Sequence, residues 1–297
     1  MGVRGDDQVT ALALGLVLFA ALVHASWNFL LKKSGGGTGL VTAATIVSLV
    51  VYAPIVAVAT WVQGYQFHPM HLVLMLVSGG IIHTAYFLML DRAYRSGGDL
   101  SIVYPLARAT GPLLTILVAI VLLGERPGAA AIGGAVLIGV SAIVLTGNPF
   151  AWHRTDARHA VGFALLTGCM IAMYTIWDKA SVATWLIPPL LYDWGCNASR
   201  VCVLIPLTRH RTPGAIEKAW RERRGAVIAI ALLSPLSYIL VLTAMVFTPV
   251  SLVAPAREVS ILFAALMGAH LLKEGDLARR SIAAVGMVLG ISGLALG

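Results

Sequence analysis

Long stretches of this chain carry no Asp, Glu, Lys or Arg, among them Thr10–Leu31, Thr38–Val62, Met70–Leu90 and Ala226–Phe247. Each is long enough to cross a ~30 Å hydrocarbon core as a helix, which takes about 20 residues. In lipid every backbone N–H and C=O must find its partner within the protein, so such runs fold as helices unless they close into a barrel. The strict alternation of a barrel strand is missing from them. Charged residues make up 11% of the chain and hydrophobic ones 59%. A soluble domain carries roughly 25% charge, so an ordinary water-facing surface is excluded.

The same reading predicts helices over 10–31, 38–62, 70–90, 100–124, 128–147, 160–178, 186–208, 226–247, 250–272 and 281–297. The fold class is therefore an all-α membrane protein with ten transmembrane helices. The connections are short apart from 209–225, which leaves no room for a soluble catalytic or nucleotide-binding domain. No GxxxxGK[ST] phosphate loop is present, which argues against a self-contained ATP-driven pump. The Ala25 region resembles a signal-peptide cleavage site, but Asp6 and Asp7 beside Arg4 do not make a positive leader, so the first helix is expected to be retained.

The net charge of +8 does not point to nucleic acid, because the basic residues lie between apolar runs and cluster in Arg209–Arg224. Cys169, Cys196 and Cys202 fall in apolar segments without CxxC spacing and read as packing residues, not disulfides or metal ligands. Nothing calls for a cofactor or a metal. The predicted partners are a small-molecule substrate and the lipid bilayer, with the protein a monomer or homodimer.

Residues 1–150 and 151–297 resemble one another. Gly15-Leu-Val-Leu with Trp27 and Lys32 aligns with Gly162-Phe-Ala-Leu, Tyr174 and Lys179. Ser101-Ile-Val-Tyr-Pro-Leu-Ala-Arg108 parallels Ser251-Leu-Val-Ala-Pro-Ala-Arg257, Leu122-Leu-Gly-Glu125 parallels Leu271-Leu-Lys-Glu274, and Gly139-Val-Ser141 parallels Gly290-Ile-Ser292. Five helices per half is an odd number, so the second half enters the membrane upside down. Such inverted repeats bind substrate near the midplane, between the halves. Arg4, Arg126 and Lys179 fall on one side and the remaining loop cations on the other, which places both termini outside the cytoplasm.

These motifs resemble the drug/metabolite transporter superfamily and, within it, the EamA-type ten-helix proteins. The resemblance rests on His24-Ala-Ser-Trp-Asn28 with Lys32, on Val103-Tyr-Pro-Leu-Ala-Arg108 with Leu123-Gly-Glu-Arg126, and on the looser copy Pro255-Ala-Arg257 with Leu272-Lys-Glu274. It covers essentially the whole chain. It implies an inverted repeat in the cell (inner) membrane, a central cavity, and export or exchange of small metabolites such as amino acids. The opening motif is also similar to a branch linked with phosphonate utilisation. Lys273 and Glu258 depart from the pattern.

Ionisable side chains at membrane depth cost ~2.5–3.5 kcal/mol on insertion scales and usually face an interior or a wet cavity. His24, Asn28 and Lys32 share one face of the first helix, and Tyr104, Arg108, Gly111 and Thr115 share one face of the fourth. A buried arginine can hold a carboxylate or phosphonate bidentately, or can serve a structural ion pair. The substrate-binding candidates are His24, Asn28, Tyr86, Tyr104, Arg108, Tyr174, Tyr238 and Arg257. The coupling candidates are Glu258, Asp178 and Asp193. Asp178, beside Lys179 at a helix end, also reads as interfacial, and Asp193-Asn197-Arg200 reads first as a polar network of the seventh helix. Trp27 and Trp177 read as interface anchors, and Gly79, Gly80, Gly133, Gly134 and Gly139 as close-packing positions. No catalytic residue is assigned.

The leading function is a secondary transporter, an exporter or exchanger of a small polar or amphipathic metabolite with an anionic group, driven by protons. The alternatives are an intramembrane enzyme, which lacks an HExxH pair or a recognisable aspartate motif, and a non-transporting accessory protein.

Overall fold

The computed structural model describes residues 3–86, 89, 100–146, 157–272 and 277–296. Every regular element among them is helical. In chain order these are α1 (Val3–Lys33), α2 (Thr38–Val62), α3 (Pro69–Tyr86), α4 (Leu100–Leu122), α5 (Ala129–Thr146), α6 (Ala157–Lys179), α7 (Pro189–Arg211), α8 (Ala215–Glu222), α9 (Arg224–Phe247), α10 (Val250–Ala256), α11 (Val259–Leu272) and α12 (Leu277–Leu296). Among the described residues four helical spans, Ala11–Lys33, Thr38–Val62, Pro69–Tyr86 and Arg224–Phe247, are long and apolar enough to cross a membrane. Large apolar side chains lie open on the outer surface, including Trp61, Val62, Val121 and Leu296. So much exposed apolar surface suits lipid and not water, and we read the protein as membrane-embedded.

The elements depart from the expected spans in three places. The connection 209–225 contains the short amphipathic helix α8, which starts after Gly214 at φ 75. α8 docks on α2, and a Cβ at Gly39 would lie 2.5 Å from the Ala215 carbonyl oxygen. The Arg223 guanidinium ties its far end to the Ser34 carbonyl at the end of α1. The expected helix over 250–272 is interrupted at Arg257–Glu258, giving α10 and α11. Within α3, Leu76–Ile82 widens into a π turn, and α6 ends in a second one at Ala180–Thr184.

Helices from the two ends of the chain pack together. α1 lies against α9 and α11, α4 against α6, α2 against α7 and α9, α3 against α7, and α5 against α12. Small residues permit the closest crossings. A Cβ at Gly134 would collide with the Gly290 carbonyl, and one at Gly79 with the Cys196 carbonyl and the Ser199 hydroxyl. Gly133 and Gly139 instead face open space. Of the three cysteines only Cys196 is a buried packing residue; Cys169 and Cys202 are exposed. The tryptophans expected at the interface also point inward. Trp177 donates to the Leu74 carbonyl at 3.1 Å, and the indole N–H of Trp27 is buried.

Candidate functional site

A cavity of about 290 Å³ opens among five helices. α2 contributes Val41, Ala44, Thr45 and Ser48, and α7 contributes Asn197, Arg200 and Leu204. Both sets recur every three or four residues, so each is one helical face. α1 adds Trp27, Asn28 and Leu31, α3 adds His83, Thr84 and Tyr86, and α9 adds Ile230, Ala231, Ser234 and Pro235. The wall is mainly apolar, with a few amides and hydroxyls and one guanidinium. That mixture suits a small amphipathic ligand. The Asn28 amide also donates to the His24 carbonyl at 2.9 Å, which orients it along α1.

Behind His83 lies a buried carboxylate. Asp178 is 0% exposed, which overturns the expectation of an interfacial acid. Its Oδ1 accepts from the Ser78 hydroxyl at 2.7 Å and from the Tyr192 hydroxyl at 2.6 Å. Its Oδ2 accepts from the Tyr238 hydroxyl. A buried charge must be hydrogen-bonded to be tolerated, and here α3, α7 and α9 supply one hydroxyl each. The π turn brings Ser78 and His83 to the same side, where His83 Nε2 lies 3.7 Å from Asp178 Oδ2. His83 Nδ1 lies 3.0 Å from the Ser78 carbonyl oxygen. A carbonyl can only accept, so the Nδ1 nitrogen carries the proton and Nε2 faces Asp178 and, at 3.5 Å, the Tyr238 hydroxyl. The ring stacks on Tyr174 at 4.5 Å, and Tyr86 meets Tyr174 edge-on at 5.7 Å.

A second, much smaller cavity of about 20 Å³ holds His24, Arg108, Tyr238, Arg257 and Ser260. Arg108 is engaged by protein groups. Its Nε lies 3.0 Å from Glu258 Oε2, and its Nη2 donates to the Ser260 hydroxyl at 3.0 Å. Arg257, its counterpart in the sequence, sits over the Tyr238 ring, with Cζ 5.4 Å from the centroid. Tyr238 therefore touches both Asp178 and Arg257, and links the two polar clusters.

The sequence candidates thus divide. Asn28 and Tyr86 line the larger cavity, whereas His24, Arg108, Tyr238 and Arg257 line the smaller one. Tyr174 and Asp178 surround His83, Glu258 pairs with Arg108, and Asp193 accepts from the Asn197 amide at 2.9 Å. The side chain of Tyr104 lies outside the described residues. Lys32 is exposed at the end of α1. Residues not chosen from the sequence carry much of the geometry: Arg200, Asn197 and Trp27 in the cavity wall, and Ser78, His83 and Tyr192 around Asp178. The spacing of Asn197, Arg200 and Leu204 held the signal, because it sets an amide and a cation on one helical face.

No family model matches the chain, and no curated protein matches its sequence. Its fold, however, is found among solved structures. A crystal structure of a protein superposes with a TM-score of 0.74 over 95% of this chain and 96% of its own, at 15% sequence identity. At that identity the likeness establishes a shared fold and nothing of the chemistry.

Proposed function

We propose that the protein is a multi-pass secondary transporter of the inner membrane, built as two inverted five-helix repeats and similar in plan to the EamA-type drug/metabolite transporters. The observation that carries this reading is the 290 Å³ cavity, walled by α1, α2 and α3 from the first half and by α7 and α9 from the second. A site shared by two related halves is where alternating access needs it.

The helix pairings favour the repeat. Counting α10 and α11 as one interrupted helix and leaving α8 aside, exchange of the halves turns α1 into α6, α2 into α7, α3 into α9, α4 into α10–α11 and α5 into α12. Under that exchange the α4–α6 packing becomes α11–α1, the α3–α7 packing becomes α9–α2, and α2–α7 and α5–α12 map onto themselves. All of these contacts are present. The cargo is a small amphipathic metabolite with an anionic group, and its movement is coupled to protons. His83 stands between the cavity and Asp178, facing Tyr174 of α6 and Tyr238 of α9, which makes Asp178 the candidate for the coupling acid.

The test is counterflow in liposomes containing the purified protein, with a panel of amino acids, carboxylates and phosphonates. A saturable exchange that quickens under an imposed pH gradient is expected, with the gradient dependence lost in Asp178→Asn. Absence of exchange for every solute by a correctly folded, reconstituted protein would remove the transport reading.

A further inference from the structure

Resting on that reading, we infer that the large cavity takes an organic anion with an apolar body and no ammonium group, and that Arg200 is its charge anchor. Among the described residues, the wall of the cavity contains one guanidinium and no carboxylate. The two nearby acids, Asp178 and Asp193, are not among its lining residues. Both Asp178 oxygens are taken up by hydroxyls from three helices, and Asp193 Oδ2 is taken up by Asn197. Among the described residues, no carboxylate comes within ion-pair distance of Arg200, and its buried Nε has no hydrogen-bond partner. Arg108, by contrast, already has Glu258 and Ser260.

A planar guanidinium in the cavity wall matches a carboxylate or a phosphonate. Asn28, Asn197 and Ser234 add neutral donors beside it, while Trp27 and Ile230 supply the surface for an apolar body. An ammonium in the same space meets the like charge of Arg200 and no acid among the described lining residues. The cavity therefore discriminates against amino acids and amines of the same shape. At 290 Å³ it lies at the low end of ligand-sized pockets, about 300–1,000 Å³, and fits one metabolite-sized molecule.

Three probes with a common phenyl body separate the charge types: 3-phenylpropionate, phenylalanine and 2-phenylethylamine. Binding is read as the thermal shift of the purified full chain in detergent, since a ligand bound only to the folded state stabilises it by mass action. The expected result is a dose-dependent stabilisation by 3-phenylpropionate, at least tenfold weaker for the other two and absent in Arg200→Gln. Thr45→Phe fills the cavity without removing the cation. Among the described residues the Thr45 hydroxyl bonds only the Val41 carbonyl of its own helix, so this variant is expected to fold and to lose binding as well.

Equal or stronger stabilisation by phenylalanine or the amine overturns the proposal. So does no stabilisation by any probe, or anion binding that survives either substitution. Anion binding in detergent without exchange in liposomes supports the site while removing the transport reading. Exchange of amino acids without any anion preference overturns the site and leaves transport standing.

Discussion

Glu258 lies against Arg108, with 3.0 Å between Oε2 and Nε, and so the acid next to Arg257 neutralises the arginine that is Arg257's counterpart in the other half of the chain. The helix break at Arg257–Glu258 is what allows this. It turns Glu258 toward α4 and leaves Arg257 over the Tyr238 ring. Glu258 is 4% exposed, so the pair is desolvated on the carboxylate side.

Removing one member of such a pair leaves an uncompensated buried charge, which costs about 3–5 kcal/mol. Arg108→Met and Glu258→Leu are each expected to lower the melting temperature steeply. The double variant, which removes both charges, is expected to recover most of the loss. Thermal unfolding of the three purified variants checks the non-additivity.

Asp178 holds three hydroxyls, and its loss removes an acceptor from each of them. Asp178→Leu is expected to cost at least ~3 kcal/mol, because each unsatisfied buried polar group costs about 1–3 kcal/mol. Tyr192→Phe removes one donor while the other two remain, and is expected to cost only ~0.5–1.5 kcal/mol. Unfolding midpoints of the two variants, compared in one detergent, test the ranking.

The junction between α9 and α10 is clamped by two opposite charges. Lys179 Nζ donates to the Met245 and Thr248 carbonyls at 2.6 and 3.0 Å, and Glu125 accepts from the Val250 and Ser251 amides at 2.8 and 2.9 Å. The cation sits at a helix C-terminus and the anion at a helix N-terminus, each where the backbone dipoles favour it. Glu125→Ala is expected to cost about 1–2 kcal/mol, in the range of a lost N-cap, and Lys179→Met a similar amount. Hydrogen exchange at 245–252 is expected to rise in both, while exchange in α5 and α12 stays unchanged.

Glycines of similar appearance are expected to respond in opposite ways. Gly79→Ala drives a methyl group into α7 at Cys196 and Ser199, and is expected to destabilise by at least ~1–3 kcal/mol, as overpacking does. Gly133→Ala and Gly139→Ala meet nothing within 4 Å and are expected to stay within about 1 kcal/mol of the parent or to gain from alanine's better helix propensity. A side-by-side thermal scan of the three variants decides it.

The sequence located helices well where the signal is carried by a continuous run. Thr38–Val62 agrees at both ends, because a long uncharged stretch in an apolar setting has no competing structure. It did not reveal α8, whose register is legible only once Gly214 adopts a left-handed conformation and Ala215 meets Gly39. Nor did it reveal the break at Arg257–Glu258, because Pro255 and the two charges mark a disturbance in the helix without saying that Glu258 turns toward Arg108 on another helix. Asp178 shows the same limit. Its place beside Lys179 reads as a helix end at an interface, yet three hydroxyls from three other helices make burial tolerable.

What the sequence determined by itself is the solvent this chain is built for and the form its backbone takes there. Both follow from hydrophobicity summed along consecutive residues, a property that needs no partner. The tertiary structure alone decided which arginine is neutralised and which is left facing a cavity. Arg108 and Arg200 are equally charged and each lies within an apolar helix. Only the packing of one beside Glu258, and of the other beside an open space, makes them different.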